Sequence, residues 1–245
     1  MAKPSMRLDK LLVERGLTSS RQRAEALILA AQVSVDGRVL TKSGQQVGAD
    51  ADITVLGPDH PYVSRGGIKL AHAIEVFGTT VEGMVAMDVG ASTGGFTDCL
   101  LQHGARRVYS IDVGYGQLAW KLRQDQRVVV VERQNIRYLQ RERIPEEIDL
   151  VTVDASFISL KLVLPAVLPF LVSNGRIIAL IKPQFEAGRE HVGKKGVVRD
   201  PEIHAKVCRE IRLICEQLML AVDGIEPSPI LGPEGNREFL LAARL

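Results

Sequence analysis

Three cysteines in 245 residues, Cys99, Cys208 and Cys215, are an odd number at no metal-ligand spacing, so neither a disulfide framework nor a cysteine-held metal is expected. Cys208 and Cys215, seven apart on a predicted helix, read as small buried hydrophobes, and the chain as one of a reducing, cytoplasmic setting. Long apolar runs are also missing. The longest, Leu162 to Val172, has 11 residues and contains Pro165 and Pro169, against the ~20 that a spanning helix needs. Met1 to Lys10 lacks the apolar centre of a signal peptide. No partner is indicated by overall charge, because 31 basic and 29 acidic residues leave only +2, and any electrostatic site must come from local clustering. Tandem repeats and low-complexity tracts are absent. What remains is an ordinary globular composition, 46% hydrophobic and 24% charged, long enough for one or two domains.

The chain is organised around Met87-Asp88-Val89-Gly90-Ala91-Ser92-Thr93-Gly94-Gly95-Phe96-Thr97-Asp98. An apolar run precedes it and an amphipathic stretch follows, the grammar of strand, glycine-rich turn and helix. At the first crossover of an open α/β sheet such a turn lies at the carboxyl ends of the strands, where ligands bind. Its spacing fits neither the dinucleotide fingerprint nor a P-loop. A nucleoside without a pyrophosphate fits better, S-adenosylmethionine being the obvious candidate; a tight turn that binds nothing is the alternative. Strands are predicted at 84–89, 107–113, 127–131, 148–154, 175–181, 222–227 and 238–244, and helices at 95–103, 116–123, 159–171 and 202–220. This alternation predicts a largely parallel sheet covered on both faces. Polar residues stand at successive strand ends. Asp112 can accept hydrogen bonds from ribose hydroxyls, and Asn135 can read an adenine edge through its amide. Asp154 and Lys182 end the fourth and fifth strands on the same rim, a loop-capping role being the alternative for each. Lys69, beside a helical stripe, and Glu238, at the start of the last strand, read by themselves as a surface lysine and an edge glutamate.

The first sixty residues form a separate pattern. Leu8, Leu11 and Leu12 recur at helical spacing, and Gly16 ends that helix. Ser19 with Gln22 reads as a capping box for a second helix burying Ala24, Leu27, Ile28 and Ala31. Val33, Val35 and Val39 then alternate around Asp36-Gly37, a hairpin signal, and Ile53 and Val55 offer another strand. Residues 1–60 carry 8 basic against 7 acidic side chains, so a basic patch depends on segregation: Arg7, Lys10, Arg15, Arg21 and Arg23 gather around the two helix starts. A solvated helix face would look the same. Gly57-Pro58-Asp59-His60-Pro61 marks a boundary between domains at 1–60 and 61–245.

Arg7-Leu8-Asp9-Lys10-Leu11-Leu12, Gly16-Leu17, Ser20-Arg21, Ala24, Leu27-Ile28 and Val33-x-Val35-Asp36-Gly37 resemble the S4 RNA-binding domain. The resemblance implies RNA contacts by Arg7, Lys10, Arg21 and Arg23. It departs at Ala31-Gln32, where the family usually has glycine and a basic residue. Residues 62 to 245 resemble the FtsJ-like ribose methyltransferases, a Rossmann-like class I fold that uses S-adenosylmethionine. That family's lysine–aspartate–lysine–glutamate tetrad matches Lys69, Asp154, Lys182 and Glu238. By the same resemblance, Asp88, Gly90, Ala91, Ser92, Thr93, Gly94, Gly95, Phe96, Asp112, Asn135 and Asp154 form the cofactor site. Arg65, in Ser64-Arg65-Gly66-Gly67-x-Lys69-Leu70, joins the RNA-binding side chains. Together with Asp112-Val113-Gly114-Tyr115-Gly116-Gln117-Leu118 and Ser156-Phe157-Ile158-Ser159-Leu160, the pairing of the two domains resembles the TlyA family, historically labelled haemolysin. The implied activity is methylation of a cytidine 2′-hydroxyl in ribosomal RNA or ribosomal subunits, with no metal. Lys182 would act as base, Asp154 would orient it, and Lys69 and Glu238 would hold the ribose. No long tail follows Glu238, so the chain resembles the shorter members, which modify the large subunit. Two other readings compete: an RNA-binding assembly factor with an inactive methyltransferase fold, and a membrane-active toxin, for which no insertion element is visible. Lys194-Lys195, between Gly193 and Gly196, reads either as a mobile RNA contact or as a solvated loop.

Overall fold

A computed structural model describes residues 5–18, 20–29, 31–55 and 60–245. The chain divides into two compact units, Met1–Pro61 and Tyr62–Leu245.

In the first unit, β1 (Ser5–Arg7) leads into α1 (Leu8–Glu14); α2 (Arg21–Leu29) and β2 (Val33–Val35), β3 (Arg38–Val39), β4 (Gln46–Gly48) and β5 (Ile53–Val55) follow. The order β3-β2-β5 is antiparallel, and β1 pairs with β4; these last two short strands have no alternating pattern to announce them. Leu8, Leu12, Ala24, Ile28 and Val33 are fully buried and make the core. Each large aliphatic among them contributes ~1.5–3 kcal/mol by leaving water. Asp36 and Gly37 both have positive φ, 49° and 76°, as a two-residue hairpin turn requires. Ser19 lies outside the described residues, as do Gly57, Pro58 and Asp59 of the boundary segment. The hydroxyl of Ser20 accepts from Arg23 N–H at 3.2 Å and so caps α2.

Both helices of this unit end in the same way. Gly16 N–H bonds to Val13 C=O and Leu17 N–H to Leu12 C=O; at α2 the pairs are Ala31 to Ile28 and Gln32 to Leu27. This termination places one residue in the left-handed region. It is Gly16 at φ +68° in one case and Ala31 at φ +58° in the other. Ala31 is therefore exposed beyond the helix, not buried on its face as its spacing predicts.

The second unit is a seven-stranded sheet between two helical layers. Its elements are α3 (Gly66–Val76), β6 (Val85–Val89), α4 (Gly95–Gln102), β7 (Arg107–Ile111), α5 (Trp120–Arg123), β8 (Val128–Val131), β9 (Ile148–Val153), α6 (Leu160–Val167), β10 (Leu171–Ile181), α7 (Pro183–Glu186), α8 (Pro201–Gln217), β11 (Ala221–Pro227) and β12 (Phe239–Arg244). The order is β11-β12-β10-β9-β6-β7-β8. Strands β8, β7, β6, β9 and β10 are parallel, and β12 is antiparallel to both neighbours. The chain reverses direction across the sheet between β6 and β9, and a crevice opens there at the carboxyl ends.

Every residue of β6 is buried. Val85, Met87 and Val89 face a core closed by α6 and α8, through Val163, Leu164, Val207, Ile211 and Cys215. Ala86 faces the other core, closed by α3 and α4 through Leu70, Phe96, Cys99 and Leu100. Cys99 and Cys215 are thus packing residues, and burial pushes their thiols up to about 12 and about 11. The predicted helix at 116–123 is only α5, because Gly114 and Gly116 open a loop before it. Strand β10 starts at 171, so the preceding helix is shorter than its spacing suggests.

Candidate active site

The glycine turn works through close backbone approach. Gly90, at φ +86°, donates to Ile111 C=O at 2.9 Å. A Cβ there would lie 2.9 Å from the backbone of Asp154 and Ala155. Only glycine lets the end of β9 come alongside the turn. Next to it, Asp112 accepts from Ser92 N–H and from Gly114 N–H, each at 2.7 Å. The carboxylate thereby ties the loops after β6 and β7 together and keeps lone pairs free for a ribose. A cavity of about 780 Å³ lies over these residues, lined by Gly90, Ser92, Asp112, Asn135, Asp154, Phe157 and neighbouring side chains. That is within the range of small-molecule sites. The Oδ1 of Asn135 already accepts from Arg137 N–H at 3.0 Å, capping a short turn. Its amide nitrogen is the group left to face a ligand.

Two residues of the expected cofactor set sit elsewhere. Asp88 is fully buried beneath the turn. Its Oδ2 accepts from Thr97 Oγ1 at 2.7 Å and its Oδ1 from Thr152 Oγ1 at 3.2 Å. Thr97 is also 2.8 Å from Ser110 Oγ. Asp88 therefore braces β6 against α4 and β9, and burial pushes its carboxyl up to about 7. A Cβ on Gly94 would collide with Leu122 and Leu118, at 2.2 and 2.8 Å, so its smallness serves packing. Ala91, Thr93, Gly95 and Phe96 line an adjoining cavity rather than the first.

That second cavity, about 410 Å³, shares Gly90, Ser92, Asp154 and Ser156 with the first. Lys69 enters it from α3, Asp154 and Lys182 from just beyond β9 and β10, and Glu238 from just before β12. They form two ion pairs. Lys182 Nζ is 2.6 Å from Asp154 Oδ1, and it also reaches Ser156 Oγ at 2.9 Å and Asp154 C=O at 3.3 Å. Lys69 Nζ lies 2.5 Å from Glu238 Oε2, with Glu238 1% and Lys69 7% exposed. The other oxygen, Glu238 Oε1, is buried without a hydrogen-bond partner. A buried orphan acceptor is costly unless a ligand satisfies it. The arrangement offers two ammonium groups and one unpaired carboxylate oxygen beside a nucleoside-sized cavity. Arg65 lines the same cavity, its Nη2 donating to Leu231 C=O at 3.1 Å.

Two residues stand out that residue-by-residue reading passes over. Ser156 orients Lys182. Phe157 is 90% exposed on the rim of the first cavity at φ +63°, with its ring 5.1 Å from that of Phe185. A bulky residue held in the left-handed region is strained backbone, which clusters at functional sites. The only signal was their place in the Ser156–Leu160 stretch.

In the first unit the basic residues are not equivalent. Asp9 is fully buried and accepts from Arg7 Nε at 3.0 Å, Arg7 Nη2 at 2.8 Å and Arg21 Nε at 2.9 Å. Arg7, with Arg21 beside it, holds that carboxyl well below the usual range. Lys10 and Arg23 are exposed. Arg15 is structural: its guanidinium donates to Ala51 C=O at 2.7 Å and Ala49 C=O at 2.5 Å.

The FtsJ-like methyltransferase family model matches residues 62–245, and the S4 domain model matches residues 6–53. The chain is 46% identical to the 16S/23S rRNA (cytidine-2′-O)-methyltransferase TlyA of Mycobacterium tuberculosis, over 97% of this chain and 89% of that protein. It is 42% identical to Hemolysin A of Brachyspira hyodysenteriae, over 96% of this chain and 98% of that one. A solved structure from Streptococcus thermophilus superposes with a TM-score of 0.78 at 43% identity, covering 99% of this chain and 89% of the other.

Proposed function

The chain belongs to the FtsJ-like methyltransferase family, with an S4 domain ahead of that fold, and from this premise we propose that it methylates a cytidine 2′-hydroxyl of ribosomal RNA, using S-adenosylmethionine. The observation that carries the reading is the meeting of Lys69, Asp154, Lys182 and Glu238 in a cavity that adjoins the nucleoside-sized one at the strand ends. The residues of the larger cavity fit the cofactor: a glycine turn that admits a ligand to the backbone, Asp112 for the ribose and Asn135 for the base. When bound there, S-adenosylmethionine supplies a methyl already activated as a sulfonium.

The protein's task is to present the hydroxyl in line and take its proton. Positioning alone can supply ~7–11 kcal/mol of the barrier. Glu238 Oε1, without a partner, accepts from a ribose hydroxyl, and Lys69 holds that carboxylate in place. Lys182 receives the 2′-hydroxyl proton. Its Nζ is aimed by Asp154 and Ser156, and it must be neutral when the hydroxyl arrives. Afterwards the ammonium stabilises the developing negative oxygen. Arg7, Lys10, Arg21 and Arg23 hold the RNA through phosphates, an affinity that falls steeply with salt, and Arg65 adds a cation at the cavity itself. Base identity is read from unpaired segments of the RNA. A ribosomal RNA substrate supports a cytoplasmic setting. A relative bears a haemolysin name, yet no helix among the described residues is long and apolar enough to cross a membrane.

Transfer of a tritiated methyl to purified ribosomal subunits tests the reading. Wild type incorporates label at a ribose, and Lys182→Ala loses at least ~100-fold in rate, the scale of a lost general base, while binding RNA within about twofold of wild type. If wild type binds subunits but incorporates no label, an assembly factor with an inactive fold is the better description.

A further inference from the structure

Asn236 is 4% exposed, two residues before Glu238, and its side chain spans two segments far apart in sequence. Its Oδ1 accepts from Val198 N–H at 3.2 Å, and its Nδ2 donates to Gly196 C=O at 3.0 Å. One carboxamide thus pairs with the backbone as a neighbouring strand would, and it needs a donor and an acceptor on the same group. The segment it holds is the turn Gly193–Val198. Gly193 N–H closes that turn on Val197 C=O at 3.0 Å, and Lys195 stands at φ +65° on its tip. Lys194 and Lys195 are exposed, whereas Val197 and Val198 are buried. On its own side, Asn236 C=O accepts from Gly232 N–H at 2.8 Å. Gly232 presses on the catalytic carboxylate, since a Cβ there would lie 2.2 Å from Glu238 Oε1. A series of side-chain and backbone contacts therefore runs from the basic turn to the Lys69–Glu238 pair.

We infer that Asn236 is a positioning residue that fixes Glu238, and through it Lys69, against the Lys194–Lys195 turn, so that RNA gripping this turn sets the geometry of the pair. The inference rests on the methyltransferase reading above. Without the tether, Glu238 keeps its backbone bond to Ser228 N–H at 2.9 Å and its pair with Lys69, but the loop before it loses these two bonds to the turn Gly193–Val198. Charge attraction brings a phosphate to two lysines, and the carboxamide turns that contact into a fixed carboxylate, which is what catalysis by orientation requires.

The test uses Asn236→Asp, nearly the same shape but with an acceptor facing Gly196 C=O, together with Lys194→Ala/Lys195→Ala and the combined variant. In full-length protein, Asn236→Asp should lower kcat on ribosomal subunits at least 10-fold, with S-adenosylmethionine binding unchanged in stoichiometry and within twofold in affinity. The lysine variant should lower kcat also, and the combined variant should be no slower than Asn236→Asp alone. Hydrogen exchange without substrate should quicken in both 193–198 and 228–238. A kcat within twofold of wild type, or lysine and asparagine effects that multiply in full, overturns the inference and leaves the enzyme reading intact. Unchanged exchange in 228–238 overturns the tether itself. Should wild type transfer no methyl at all, the enzyme reading fails, and this exchange measurement alone decides the tether.

Discussion

Removing either partner of the Lys69–Glu238 pair separates what the pair does for the fold from what it does for the reaction. The two side chains are 8% and 0% exposed and 2.5 Å apart. Lys69→Met leaves the Glu238 carboxylate buried with neither oxygen paired, because Oε1 already lacks a partner. Glu238→Gln leaves the Lys69 ammonium buried against a neutral amide. Breaking a buried pair from one side costs about 3–5 kcal/mol, whereas replacing both partners by groups of similar volume is often close to neutral. Each single variant should therefore be destabilised on that scale, Lys69→Met the more. The double variant should recover most of the loss, giving a coupling of at least ~2 kcal/mol. Denaturant unfolding followed by circular dichroism measures this, read on the transition of the larger unit because two units need not unfold together. Methyl transfer should be lost in all three, the double included. Additive losses below ~1 kcal/mol for each single variant would refute the burial argument. A stable double variant that still transfers methyl would show that the pair is only structural.

Asp88 makes stability depend on pH. Its carboxyl is pushed up to about 7 by burial, against 3.8 in an unfolded chain. Between those values the native state keeps a proton that the unfolded chain has lost. Stability should fall as pH rises through that window and then level off, a loss on the order of 4 kcal/mol. Asp88→Asn lacks this slope, so its Tm relative to wild type should climb from pH 4 to 7; parallel curves would be the contrary result. Ala31→Gly should stabilise the first unit by about 0.5–1 kcal/mol, since an alanine at φ +58° is strained where glycine is not. A lower Tm would show that the cost in unfolded-chain entropy outweighs that relief.

The chain order of strands and helices in the larger unit was legible because each burial pattern is local. Val85-Ala86-Met87 announces a strand buried on both faces, and Asp36-Gly37 announces a turn with two positive φ values. Gly90 was legible as well, since a bend between strand and helix that admits a ligand needs a residue without a side chain. Local pattern could not tell that Asp88 braces the turn from beneath instead of facing a ligand. Asp88 stands near the end of β6 on either reading, and only the packing of Thr97 and Thr152 decides between them. Gly94 is similar, its smallness demanded by Leu118 and Leu122 from a later segment. Lys69 and Glu238, 169 residues apart, read singly as a surface lysine and an edge glutamate, and only resemblance to a family joined them. Composition and periodicity thus determined which segments are strands, which turns need glycine and which ends carry polar groups, because those follow from neighbours in sequence. Which charges meet was decided by the order β12-β10-β9-β6, which brings four distant strand ends and one helix to a single rim. That order follows from the summed burial of the whole sheet, and no single segment contains it.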